Sequence, residues 1–113
     1  MRDGRTERWR LAFILDTILT RDSWMHRVDI ARATRRPLEL TAAHDGRIIA
    51  DAVREWADRH GQPFRLDLTG PAGGAYTRGQ PEGPPLTVDA VEFCRILSGR
   101  AVGDGLFRQE VPF

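Results

Sequence analysis

Residues 63–78 read PFRLDLTGPAGGAYTR. From Phe64 to Leu68 apolar and polar side chains alternate, which is the period of a half-buried strand. Gly70-Pro71-Ala72-Gly73-Gly74 supplies turn chemistry, and Ala75–Arg78 reads as the returning strand of a β-hairpin. The same glycines invite a phosphate-loop reading. They follow one strand and enter another, however, with no helix N-terminus and no lysine, so a tight turn accounts for them better.

Both flanks of the hairpin are helical in pattern. No Gly or Pro interrupts Thr6 to Ala33, a run with the composition and length of one long helix that Arg36-Pro37 ends. After a short extended segment, Leu38–Leu40, Thr41 is a good N-cap. The helix it opens places Ile48, Ile49, Ala52, Val53 and Trp56 on one face and closes at Gly61. Beyond the hairpin, Gly79–Pro85 is a Pro/Gly loop and Leu86–Val88 a short strand. Asp89 or Thr87 then caps a helix through about Leu97, which Gly99 stops. The terminal EVPF is apolar enough to pack back onto the domain. The fold class expected is therefore α+β, a long N-terminal helix over residues 1–36 followed by a small α+β domain over residues 37–113. No internal repeat is present.

At 113 residues, with 41% hydrophobic content, the chain fits one ordinary domain with a modest core. No run of about 18 apolar residues exists, and the charged N-terminus does not resemble a signal peptide, so a cytoplasmic location is expected. All 17 basic residues are arginine and the net charge is +1. Nine arginines against five acids fall in residues 1–36, and eight against eleven in the remainder, which leaves little to steer a nucleic acid. The single Cys94 sits among Val91, Phe93 and Leu97 as a buried thiol would.

On a helical wheel Leu11, Ile14, Leu15, Ile18 and Met25 form one stripe, and Asp22, His26 and Asp29 fall inside it. Ionisable groups placed where a core is expected need compensation, since unpartnered burial costs several kcal/mol. A metal is one answer. Asp22 and His26, four residues apart, stand one turn above another and suit a shared divalent ion, with Asp29 placed to accept a hydrogen bond beyond the ligands. An Asp–His or Asp–Arg pairing at a helix junction is the other. His44, in the first turn of its helix, and His60, beside Gly61 where a cation suits the helix dipole, share no face with this pair. On the opposite side of the first helix, Trp9, Phe13 and Trp24 cluster with Val28 beside them. That patch predicts a homodimer or a helical partner through residues 9–28.

The segments TRDSWMHRVDIARAT, PLELTAAHDGRIIADAVREWADRHGQPFRLDLTGPAGG, VDAVEFCRILSGR and the terminal EVPF resemble the C-terminal half of actinobacterial proteins of the mycothiol-dependent maleylpyruvate isomerase family. The likeness covers nearly the whole chain. It implies that residues 1–36 are the last helix of a DinB-like metal-binding four-helix bundle and that residues 37–113 form a sterol-carrier-like domain. It further implies a divalent metal, most simply Zn²⁺, on Asp22 and His26, mycothiol as cosubstrate, and isomerisation or thiol transfer as the chemistry. Family members carry a Glu where Asp22 stands, so this acid is one methylene shorter. Arg100, in the LSGR turn, resembles the arginine that faces the bundle's site; its fork suits a substrate carboxylate, and a helix-dipole role suits the same position. The family's remaining histidine ligand comes from an earlier bundle helix, so a truncated member with an incomplete active site is expected. The other reading is a non-catalytic module that binds a small ligand or a protein.

Overall fold

The computed structural model describes the backbone of residues 4–113 and the side chains of residues 11, 12 and 14–113. Among the described residues, three α-helices, a short 3₁₀ turn and a three-stranded mixed sheet make an α+β protein. The chain divides into two compact units, one of residues 1–38 with Phe113, the other of residues 39–112.

The first unit is built on α1, Gly4–Thr34. Its end is set by backbone chemistry before Pro37. Arg35 takes a left-handed φ of 55°, and the Arg36 and Arg35 amides donate back to Ala31 and Arg32. That pattern satisfies the last carbonyls of a helix. Along α1 the side chains of Arg21, Trp24, Met25 and Val28 are buried, whereas Leu11, Ile14, Leu15, Leu19 and Ile30 are exposed. This overturns much of the expectation from the wheel. Of the stripe that holds Asp22 and His26, Leu11, Ile14 and Leu15 meet solvent, Ile18 is half-buried and Met25 is buried, while Trp24 and Val28, assigned to an exposed patch, are buried. Trp9 and Phe13 of that patch lie outside the described side chains.

The second unit is organised by β1, Phe64–Thr69, the middle strand of the order β2-β1-β3. It pairs antiparallel with β2, Gly74–Arg78, and parallel with β3, Leu86–Asp89. Phe64, Leu66 and Leu68 are buried on one face while Arg65 and Thr69 are exposed, as the alternation predicts. Leu66 lies between Tyr76 and Leu86 in register, and Leu68 between Gly74 and Val88. Because β3 sits on the far side of β1 from β2, the loop of residues 79–85 must carry the chain from one edge of the sheet to the other.

Two helices complete this unit's core. α2, His44–His60, buries Ile48, Ile49, Ala52, Val53, Trp56 and Ala57. Thr41 opens its first turn: Thr41 Oγ1 accepts from the His44 amide at 3.2 Å, and Asp45 Oδ2 accepts from the Thr41 amide at 2.6 Å. Such a reciprocal cap explains why Asp45, a carboxylate, is buried. Gly61, with φ 65°, closes the helix. α3, Ala90–Leu97, is capped by Asp89, whose carboxylate accepts from the Val91 and Glu92 amides at 3.0 and 3.1 Å. Phe93, Cys94 and Leu97 are buried, and the tail returns to them, with the Val111 amide donating to the Leu97 carbonyl at 3.1 Å. Trp56 is the hub. Its ring lies 4.9 Å from Phe64, 5.4 Å from Phe93 and 6.1 Å from Phe107, and its Nε1 donates to the Leu106 carbonyl at 2.9 Å.

Candidate functional site

α1 brings Asp22 and His26 together as their spacing requires: His26 Nε2 stands 3.4 Å from Asp22 Oδ2. The His26 side chain is 63% exposed and that of Asp22 46%. Neither is compensating a buried charge, so the reason first given for a metal, ionisable groups inside a core, does not hold. What remains is a solvent-facing pair of one oxygen and one nitrogen donor on adjacent turns. Asp29 lies on the same side one turn further and is half-buried. Among the described residues, no group of three or more His, Cys, Asp or Glu is placed to hold a metal ion.

The geometry still suits a shared ion. Donors of one tetrahedral zinc, each about 2.0–2.2 Å from the metal, stand roughly 3.3–3.5 Å apart. The pair therefore fits two of the four corners of such a site. An Asp–His ion pair has the same spacing, and the two readings differ only in what a titration with metal shows.

Arg100 is positioned by the end of α3. The Arg100 amide donates to the Arg95 carbonyl at 2.9 Å and the Gly99 amide to the Ile96 carbonyl at 3.1 Å, with Gly99 at φ 83°. This closes the helix by the double bond pattern that a left-handed glycine permits. The residue's main chain is thus fixed by capping, whatever its guanidinium binds.

The other two histidines lie at the ends of α2. His44 gives its amide to Thr41 and is exposed. At His60 the surroundings weigh against the cation expected at a helix end. Burial, and after it the charge of Arg78, hold its pKa below the usual imidazole value. Its Nδ1 accepts from the Gln62 amide at 2.9 Å, and its ring meets Trp56 edge-on at 4.2 Å. Protonating Nδ1 removes that acceptor. The folded state therefore favours neutral His60, and its contribution is present above the unfolded pKa of about 6.5 and lost as pH falls below it. We expect the wild type to lose stability between about pH 7 and pH 5 more steeply than His60→Phe, which keeps the ring packing without the titration. Parallel urea midpoints for the two proteins at both pH values check this; equal losses would refute it.

Cys94 is buried, and Tyr76 has its hydroxyl pKa raised by burial and by the nearby Cys94. This proximity was not legible from sequence, because it joins residues 18 positions apart on different elements. No helix among the described residues is long and apolar enough to cross a membrane. No family model, curated protein or solved structure matches the chain.

Proposed function

We propose that this chain belongs with the mycothiol-dependent maleylpyruvate isomerase family and that α1 carries part of a divalent-metal site, with Asp22 and His26 as ligands. The observation that supports it is the 3.4 Å separation of an oxygen and a nitrogen donor on one solvent-facing turn. In this reading α1 corresponds to the last helix of a DinB-like bundle and residues 37–113 to a sterol-carrier-like domain, in a cytoplasmic protein. A divalent ion, Zn²⁺ by its fit to mixed N/O donors, supplies Lewis-acid activation of a thiol such as that of mycothiol. Asp22 and His26 hold their share of the ion's coordination shell, Asp29 accepts a hydrogen bond beyond it, and the fork of Arg100 pairs with a substrate carboxylate. The reaction class is isomerisation or thiol transfer.

A second reading, a non-catalytic module for a small ligand or a protein, is favoured by the lack of a third donor among the described residues. Metal titration separates them. Two protein donors leave most coordination positions to water, so Zn²⁺ should bind with micromolar or weaker affinity, and His26→Ala and Asp22→Asn should each weaken binding about tenfold or more. The chain alone should show no mycothiol-dependent isomerisation. Identical Zn²⁺ isotherms for wild type and His26→Ala would remove the metal reading, and nanomolar affinity lost in His26→Ala would show a complete site instead of a partial one.

A further inference from the structure

Asp-Gly occurs three times in the sequence, at Asp3-Gly4, Asp45-Gly46 and Asp104-Gly105. Asp3 lies outside the described residues, and the fold treats the other two pairs oppositely. An aspartyl side chain followed by glycine can cyclise, because a residue without a Cβ leaves its amide nitrogen open to the preceding carboxyl carbon. At Asp45 both reacting groups are held. The carboxylate is buried and accepts from the Thr41 amide at 2.6 Å and from Thr41 Oγ1 at 3.3 Å, while the Gly46 amide donates to the Thr41 carbonyl at 3.3 Å.

At Asp104 neither group is held. The residue is exposed and extended, with φ −114° and ψ 158°, and although it precedes the 3₁₀ turn of Gly105–Arg108 its carboxylate accepts no capping hydrogen bond. Among the described residues the Gly105 amide donates to no backbone carbonyl. Gly105 has φ 59°, and nothing lies within 4 Å of where a Cβ on it would stand, so the peptide between the two residues has room to turn. One bond restrains it, from the Phe107 amide to the Asp104 carbonyl at 3.1 Å.

We propose that Asp104-Gly105 is a self-modification site, at which the chain isomerises to an isoaspartyl link. The Gly105 nitrogen attacks Asp104 Cγ, and its proton leaves with the carboxyl hydroxyl as water, which closes a succinimide ring. Water then adds at the main-chain carbonyl carbon of Asp104 and breaks its bond to the Gly105 nitrogen. The chain now runs through Cβ and Cγ, and the former main-chain carbonyl has become a free carboxylate. Water leaves and returns, so no other reactant enters and the mass is unchanged.

The position couples this change to the core. Immediately after it, the Leu106 carbonyl accepts from Trp56 Nε1 at 2.9 Å and the Phe107 ring stacks on Trp56 at 6.1 Å. Immediately before it, a Cβ on Gly103 would stand 2.5 Å from Ile96 Cγ2 and 2.7 Å from Phe107 Cβ, so that residue is already in close contact. Isomerisation inserts a methylene between these two packed points and takes the Asp104 carbonyl out of the chain. A close-packed interior does not absorb such a change, and the cover of Trp56 loosens.

Incubating the full chain at neutral pH for several weeks, beside a sample unfolded in guanidinium chloride, tests the proposal. Trypsin releases the two pairs in separate peptides, residues 101–108 and 36–47, because Arg36 is followed by Pro37. From the native chain, peptide 101–108 should split into two species of equal mass, the new one identified by electron-transfer cleavage of its extra Cα–Cβ bond. Peptide 36–47 should isomerise at least about tenfold more slowly, since the bonds of Asp45 must open first. In the unfolded sample the two rates should be similar. The aged wild type should also show a lower urea midpoint, and Asp104→Glu, whose longer side chain does not close the same ring, should keep its midpoint through the same incubation. A native peptide 101–108 that stays a single species while the unfolded sample isomerises, or equal native rates for the two peptides, would overturn the proposal. A midpoint loss shared by Asp104→Glu would overturn its coupling to the core.

Discussion

Trp56→Ala is expected to leave the second unit largely unfolded at room temperature. Trp56 is fully buried, and removing a large aromatic from such a position costs about 3–5 kcal/mol in lost transfer energy and residual cavity. The cost here belongs at the upper end. The ring touches His60, Phe64, Phe93 and Phe107, so α2, β1, α3 and the 3₁₀ turn of Gly105–Arg108 all lose a shared neighbour. The Leu106 carbonyl also loses its donor, which adds about 1–3 kcal/mol where water does not replace it. A domain of this size holds roughly 5–10 kcal/mol in total. Loss of near-ultraviolet circular dichroism and of a cooperative urea transition is the expected readout. Trp56→Phe, which refills most of the volume, should retain both. A transition midpoint for Trp56→Ala close to that of wild type would mean that these rings do not pack around one centre.

Gly73→Ala should be nearly as damaging, for a different reason. A Cβ on Gly73 would run into the Leu68 carbonyl group, with the Leu68 carbonyl carbon at 2.7 Å, and both atoms are main chain at the end of β1. Backbone cannot rotate aside as a side chain can, so the turn has to open. The Gly73 amide would then leave the Gly70 carbonyl, to which it donates at 3.0 Å, and the Leu68↔Gly74 end of the hairpin would unpair. Overpacking costs typically about 1–3 kcal/mol, and a backbone clash sits at or above the top of that range. Gly74→Ala is the control, since its Cβ would meet only the Tyr76 ring at about 3.6 Å. Denaturation curves in which the two variants coincide would show that the turn does not depend on this close approach.

Much of the second unit was legible because its signals are one-sided. α2 has a single apolar face, so Ile48, Ile49, Ala52, Val53 and Trp56 had one place to go, and all are buried. β1 alternates without exception, and Asp89 stands where a cap is needed. The parallel partnership of β3 with β1 was not legible, because four residues of strand carry no mark of which neighbour they join. α1 misled for the opposite reason. Its apolar residues occur on two sides of the wheel, leucine and isoleucine on one and tryptophan and valine on the other. Helical periodicity identifies faces and does not rank them. The Asp22–His26 pair was readable from four-residue spacing alone, whereas its exposure, which changes the argument for a metal, was not.

The loop of residues 79–85 has a consequence for how this protein can grow. It crosses the sheet with its residues mostly exposed, and it pairs with neither edge strand. Such a span tolerates insertion, because lengthening a flexible loop raises its closure entropy only logarithmically, about 0.6 kcal/mol for each doubling. The β1–β2 hairpin, by contrast, has no slack: its turn is fixed by one glycine contact and its register by five paired positions. New sequence, whether acquired in evolution or by design, therefore has one inexpensive point of entry into this sheet, between β2 and β3.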